Sequence, residues 1–337
     1  MAAPLLELED LSVTLPTPSG AVRAVNGVSL SVRTGERLGI VGESGAGKTM
    51  TALRAMGLVP SPPATLSGRV LYRGTDLATL PSRDRRRLCG ATMAMTFQDP
   101  MTCLNPRMTV GDQIAEAIRA HERLSKVRAR ARAVELLGLV AIPAPARRAD
   151  EYPHRLSGGM AQRVMMAMAL SCGPDLIFAD EPTTALDVTI EAEVIDLLVR
   201  LCEEQKAAVV LITHDLALLA RFADRVAVMY AGRVVEEGDV STIYQRPAHP
   251  YTVGLLRSVT RADQPREARL TTIEGAPPSA LALPGGCPFH PRCPRARDIC
   301  SHQEPELTAR TPSGHRFACH FPSEPSHQPQ RDLSHPR

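Results

Sequence analysis

Gly42-Glu43-Ser44-Gly45-Ala46-Gly47-Lys48-Thr49 is the densest run of chemistry-bearing residues in this 337-residue chain. It fits G-x-x-x-x-G-K-[ST], a pattern whose glycines let the backbone curl around phosphate with its N–H groups pointing inward. The lysine of such a loop reaches the terminal phosphates as a point charge, and the hydroxyl after it ligates Mg²⁺. Lys48 and Thr49 fill those two places. The bland alternative is a glycine-rich turn. Context argues against it, because the apolar RLGIV precedes the loop and the helical MTALRAMGL follows, the strand, loop, helix order that the pattern needs.

Further along, Leu176 to Asp180 reads LIFAD, a buried-type strand ending in a carboxylate, and Glu181 follows at once. Two adjacent carboxylates leave a strand end in different directions and can divide labour. Asp180 can help to hold Mg²⁺, while Glu181 can orient and polarise an attacking water. The alternative is that both merely cap the loop before Pro182. A second anion-receptive start stands at Leu156 to Arg163, LSGGMAQR. There Ser157, Gly158 and Gly159 open a helix, where unpaired N–H groups and the positive end of the dipole converge.

The elements that must carry these groups alternate. LLELEDLSVTL, VSLSV, RLGIVG, RVLY and ATMAMTF read as strands in the first hundred residues. GDQIAEAIRAHERL and VRARARAVELLGLV read as a helical insertion. DLIFAD, AAVVLIT and RVAVMY return to strand around a helical EAEVIDLLVRLCEEQ, so the core is α/β with a parallel sheet. After about Gln245 the texture changes: twelve of the 29 prolines fall in residues 274–337, which predicts an irregular unit short of core and in need of a staple. The polar end, 323–337, reads as disordered.

Thirty-nine basic against 36 acidic residues leave +3, and aromatics are 3% with no Trp. That balance and that scarcity disfavour nucleic acid as a partner. The N-terminus lacks a basic, apolar export signal and no segment approaches a membrane span, so a chain in the cytoplasm is expected.

LSGGM between the phosphate loop and LIFADE resembles the signature of the ATP-binding cassette (ABC) ATPases. The resemblance implies further parts. Gln98 in FQDP matches the Q-loop, which senses the metal site, placing Gln98 with Thr49 and Asp180 around Mg²⁺, and touches a membrane subunit; Asp187 in TTALD matches the D-loop; His214 in LITHD matches the switch histidine on the γ-phosphate. Singly, each has an ordinary reading as a loop residue, an N-cap or a packed histidine. The family fold is a P-loop NTPase (RecA-like) core with an antiparallel β subdomain and a helical subdomain, here with a Cys/Pro-rich C-terminal extension. The implied division is 1–245 for the cassette, its helical subdomain about 99–165, and 246–322 for the extension. In the family two cassettes pair head to tail, so Ser157, Gly158 and Gly159 would hold the ATP of a partner. An upstream aromatic that stacks on adenine in many members falls near Leu15 here, which leaves apolar contact from Leu15 and Val22.

FQDPMTCLNPRMTVGDQI and RPAHPYTVGLL, with His249-Pro250-Tyr251-Thr252, resemble the ATPase subunits of oligopeptide, dipeptide and nickel importers. This implies ATP and Mg²⁺, a second ATPase chain with a heterodimer favoured, two transmembrane permeases, an extracytoplasmic binding protein, and a peripheral place on the cytoplasmic face of the inner membrane. A nickel or metal-chelate importer and a soluble non-transport ABC ATPase are the alternatives. Finally Cys287, Cys293, Cys300 and Cys319 are spaced C-x5-C-x6-C-x18-C. Four soft thiolates in an unexported segment suit a [4Fe-4S] cluster, with zinc or unligated thiols as alternatives and His290, His302, His315 and His320 in reserve. The similar tails of the peptide-importer branch favour the cluster. Cys89, Cys103, Cys172 and Cys202 are scattered and read as packing thiols.

Overall fold

The computed structural model of the chain describes residues 3–183, 188–258, 273–309 and 314–323. Its strands are β1 (Leu6–Thr17), β2 (Gly20–Val32), β3 (Arg37–Val41), β4 (Thr65–Tyr72), β5 (Thr75–Asp76), β6 (Met93–Thr96), β7 (Leu176–Asp180), β8 (Ala208–Thr213), β9 (Arg225–Tyr230), β10 (Arg233–Asp239), β11 (Thr308–Ala309) and β12 (Arg316–Phe317). The α-helices are α1 (Lys48–Ala55), α2 (Ser82–Ala91), α3 (Pro100–Cys103), α4 (Val110–His121), α5 (Lys126–Leu139), α6 (Pro145–Ala149), α7 (Gly158–Leu170), α8 (Val188–Gln205), α9 (Leu216–Phe222), α10 (Val240–Gln245), α11 (Pro250–Ser258) and α12 (Asp298–His302).

Two sheets result. The smaller one, ordered β2-β1-β4-β5, is antiparallel; the larger runs β11-β12-β10-β9-β3-β8-β7-β6. Within it β9, β3, β8, β7 and β6 are parallel neighbours. Such strands are covered on both faces and so read as unbroken apolar runs. Alternate residues feed separate cores. Ile177 and Ala179 of β7 and Val209 and Leu211 of β8 face the core shared with α4, α5, α7 and α8. Leu176, Phe178, Val210 and Ile212 face the core shared with α1 and the antiparallel sheet. The parallel strands therefore lie between two apolar layers.

The apolar pattern of the sequence does not predict four of the strands, β5, β10, β11 and β12. β10 reads RVVEEGD, and its charges break the apolar pattern; yet Glu236 and Glu237 are both buried. β12 pairs with β10 through Glu236↔Phe317, so the Pro-rich extension adds two short strands to the edge of the sheet. α11 begins at Pro250, where a missing N–H costs nothing. Residues 324–337 and Asp187 lie outside the described residues.

Candidate nucleotide site

Parallel order decides the site. The segments following β3, β8, β7 and β6 all leave the carboxyl ends of adjacent strands, so they emerge side by side on one edge of the sheet. They carry, respectively, the phosphate loop, His214, the Asp180–Glu181 pair and Gln98.

Residues 42–47 turn from β3 into α1, whose N-cap is Gly47 at φ +95°, with no side-chain cap on the helix start. A side chain at Gly42 would strike the Met229 carbonyl, and one at Gly47 would strike that of Ala24. The loop is thus pinned from outside by β9 and β2, and Gly232 N donates to Ala46 O at 3.0 Å. Lys48 folds back over the loop, its Nζ donating to Gly42 O at 2.7 Å and Glu43 O at 3.1 Å. Burial lowers the Lys48 pKa, and Glu181, Asp180 and Glu43 oppose that shift.

Thr49 Oγ1 donates to Asp180 Oδ1 at 3.1 Å, across 131 residues of sequence. A hydroxyl and a carboxylate side by side are the hard oxygen donors that suit Mg²⁺, so the residues present fit that ion. Burial raises the Asp180 pKa, with Thr49 acting against it. Glu181 is in left-handed backbone, φ +43°, unusual for a residue with a Cβ. Its N–H donates to Ile212 O at 2.8 Å. The two adjacent carboxylates take different partners, Thr49 for Asp180 and Gln98 and His214 for Glu181. Gln98 Nε2 donates to Glu181 Oε2 at 3.1 Å, and His214 Nδ1 lies 3.3 Å from Oε1. Gln98 therefore contacts the Glu181 carboxylate, not the Thr49–Asp180 pair.

Ser157 is the N-cap of α7: its Oγ accepts from Met160 N at 3.4 Å and its carbonyl from Ala161 N at 2.9 Å. Ser157 and Gly158 are exposed and Gly159 is buried, and these two bonds of Ser157 stay within its own helix. Leu15 and Val22 are directly paired across β1 and β2.

The expected [4Fe-4S] cluster, and metal binding by the extension at large, is corrected. Cys287, Cys293, Cys300 and Cys319 do line one small pocket, together with Phe289 and Phe321. But no group of three or more His, Cys, Asp or Glu among the described residues could hold a metal ion. Burial pushes the Cys287 and Cys319 thiols up to about 11. The reserve histidines are committed elsewhere: His290 to Cys287 O, His302 to Asp298, His315 to Glu236 and His320 to Gln303 O. The staple is protein itself. Fully buried Glu236 accepts from Ala248 N at 2.6 Å, His249 N at 2.8 Å and His315 Nε2 at 2.8 Å. Sequence reading missed this anchor, along with Glu43 and Arg292, whose bidentate pair joins residues 249 positions apart. No periodicity signals such a contact.

Residues 25–184 match the family described as ABC transporter, and residues 235–300 match the oligopeptide/dipeptide transporter C-terminal region. The dipeptide transport ATP-binding protein DppD of Escherichia coli (strain K12) is 49% identical over 325 residues, covering 96% of this chain and 99% of that protein. The oligopeptide transport ATP-binding protein OppD of the same strain is 48% identical, covering 95% of this chain and 94% of that protein. Among solved structures, the dimeric post-hydrolysis state of the ATP-binding cassette MJ0796 bound to ADP and Pi has a TM-score of 0.62 at 29% identity, covering 70% of this chain and 98% of that one. With a phosphate loop, an oxygen pair and a triply contacted glutamate region on one sheet edge, and with likeness along nearly its whole length, the chain belongs to the ABC transporter ATPases, in the branch of the dipeptide and oligopeptide ATP-binding subunits.

Proposed function

We propose that this chain is the ATP-hydrolysing subunit of a bacterial importer of di- and oligopeptides, seated at the cytoplasmic face of the inner membrane. The observation that carries this reading is the convergence of Thr49–Asp180 with Gln98–Glu181–His214 on one edge of the sheet. Support for the cargo comes from the C-terminal match at residues 235–300. No helix among the described residues is long and apolar enough to cross a membrane, in keeping with a peripheral subunit beneath two permeases that an extracytoplasmic binding protein feeds.

The roles divide by chemistry. Gly42, Ser44, Gly45, Ala46, Gly47 and Lys48 cradle the phosphates of ATP, and Thr49 and Asp180 hold Mg²⁺, which when bound neutralises charge on the phosphate oxygens. Gln98 holds Glu181 in place near the metal. Glu181 takes the proton of the attacking water, and His214 contacts both Glu181 and the terminal phosphate. Leu15 and Val22 supply an apolar surface to adenine. Ser157, Gly158 and Gly159 offer the start of α7 to the ATP of a second ATPase chain, and Asp187 is assigned to the same shared site by its motif TTALD alone. We read 1–245 as the cassette, with helices across about 99–165, and 246–322 as its extension. A different ATPase chain is the favoured partner.

The test is uptake. Membrane vesicles carrying this chain with its co-purifying membrane proteins and partner ATPase should accumulate labelled dipeptide or tripeptide only with ATP. ATP-driven uptake of nickel but not of peptide, or no co-purifying membrane protein, would overturn the cargo or the transport role respectively.

A further inference from the structure

Glu43 stands second in the phosphate loop, and both of its polar ends are held by the C-terminal extension. Its carboxylate receives a fork from Arg292, Nη1 to Oε2 at 2.7 Å and Nη2 to Oε1 at 3.0 Å. Its backbone N–H donates to Tyr251 Oη at 2.8 Å. The Arg292 side chain is 5% exposed. Its remaining donors are used as well: Nε reaches Glu274 O at 3.0 Å, and Nη1 reaches Tyr230 Oη at 3.3 Å. The Tyr230 ring lies 5.9 Å from the guanidinium and packs with Tyr251 and Phe289, with ring centroids 4.6–5.4 Å apart. A guanidinium so placed is rigid, shielded from water and permanently charged.

A carboxylate in a phosphate cradle is a liability, because it repels the polyanion that the loop exists to bind. At short range and with partial burial that repulsion is large. The counter-charge comes from the extension: Arg292 pairs with the Glu43 side chain, while Tyr251 fixes the backbone of the same residue. Lys48 meanwhile bonds the Glu43 carbonyl, so the lysine and the extension grip one residue from two sides. We propose that Arg292 is a positioning residue for nucleotide binding, which neutralises and orients Glu43 so that docking of the extension sets the affinity of the phosphate loop for ATP. The proposal rests on the reading of residues 42–49 as the ATP phosphate site.

The experiment measures binding of the non-hydrolysable analogue AMP-PNP, and of adenosine, to the purified full chain. Arg292→Gln should raise the Kd for AMP-PNP about tenfold or more, as expected when a partly buried carboxylate loses its partner beside a polyanion. Adenosine, lacking phosphates, should shift by less than about twofold. Adding Glu43→Gln to Arg292→Gln should return AMP-PNP affinity to within about threefold of the unaltered chain, since the repelling charge is gone. Arg292→Lys, which keeps the charge but not the fork, should fall between. If Arg292→Gln does not fold, Arg292→Lys and the double variant carry the test.

Unchanged AMP-PNP affinity in Arg292→Gln, equal losses for AMP-PNP and adenosine, or failure of Glu43→Gln to rescue would each overturn the proposal in favour of a merely structural contact. Lys48→Ala separates the two readings. Unimpaired AMP-PNP binding there would sink the phosphate-site reading itself, whereas its loss with no Arg292 effect sinks only the positioning role.

Discussion

Glu181 sets one cost, a left-handed backbone on a residue with a Cβ, against contacts from two further side chains, Gln98 and His214. Local strain of this kind persists where the surroundings over-determine it. If Glu181 is the proposed base, Glu181→Gln should lower turnover by roughly 10² or more with ATP binding retained. Lys48→Ala should do the reverse, weakening ATP binding first. Phosphate release and nucleotide titration on the purified chain measure both, and normal turnover in Glu181→Gln would rule out the assignment. The types of these residues and their order were legible in the sequence, because each belongs to a short contiguous motif. What was not legible is which of them touch. Gln98, 83 residues from Glu181, meets its carboxylate only because β6 and β7 are neighbours in the sheet.

At the scale of elements, α7 carries the argument. Its cap Ser157 and first residue Gly158 are exposed, whereas Gly159 and most positions from Ala161 to Leu170 are buried. A helix packed so firmly along its length presents its first turn as a fixed, positively polarised end. Ser157→Arg should leave ATP binding by the isolated chain within about twofold, because that site is proposed to lie on a partner's nucleotide, while lowering turnover of the assembled ATPase pair at least about tenfold. Steady-state hydrolysis by the reconstituted pair decides it. Equal activity would remove the shared-site reading. The helical segments were readable from their period and the parallel strands from their unbroken apolar runs, since each is buried in a regular way. β10 was not, because its buried Glu236 and Glu237 look solvent-facing until their partners arrive from His315, Arg316 and Arg225.

For the whole molecule, buried polar groups of β10 link residues on either side of residue 245. Glu236 gathers Ala248, His249 and His315, and Glu237 pairs with Arg316. Breaking one side of such a pair is expensive, so these contacts specify the docked arrangement. His249 is 1% exposed; burial lowers its pKa from 6.5 to about 4, with Glu236 opposing, and its Nδ1 accepts from Tyr251 N at 3.1 Å. The imidazole is therefore neutral when folded. Between pH 6.5 and 4 the unfolded chain binds the extra proton, so stability falls as pH drops through that window, by on the order of 3 kcal/mol from this residue. Denaturant melts across that range should show the slope, and His249→Asn should flatten it. An identical slope in the variant would assign the acid sensitivity elsewhere.

By itself the sequence determined the inventory: a phosphate loop in strand, loop, helix context, a strand-end carboxylate pair, a signature helix and an α/β core. These are local, set by contiguous residues and by backbone periods of two or 3.6. Tertiary structure alone decided what long-range contact controls. It brought Thr49 to Asp180 and Gln98 to Glu181, replaced an expected cluster on four cysteines with an anchor at Glu236, and set Arg292 against Glu43. The reason is that charge pairing and burial depend on distance in space, and strand order, which no local pattern encodes, fixes that distance.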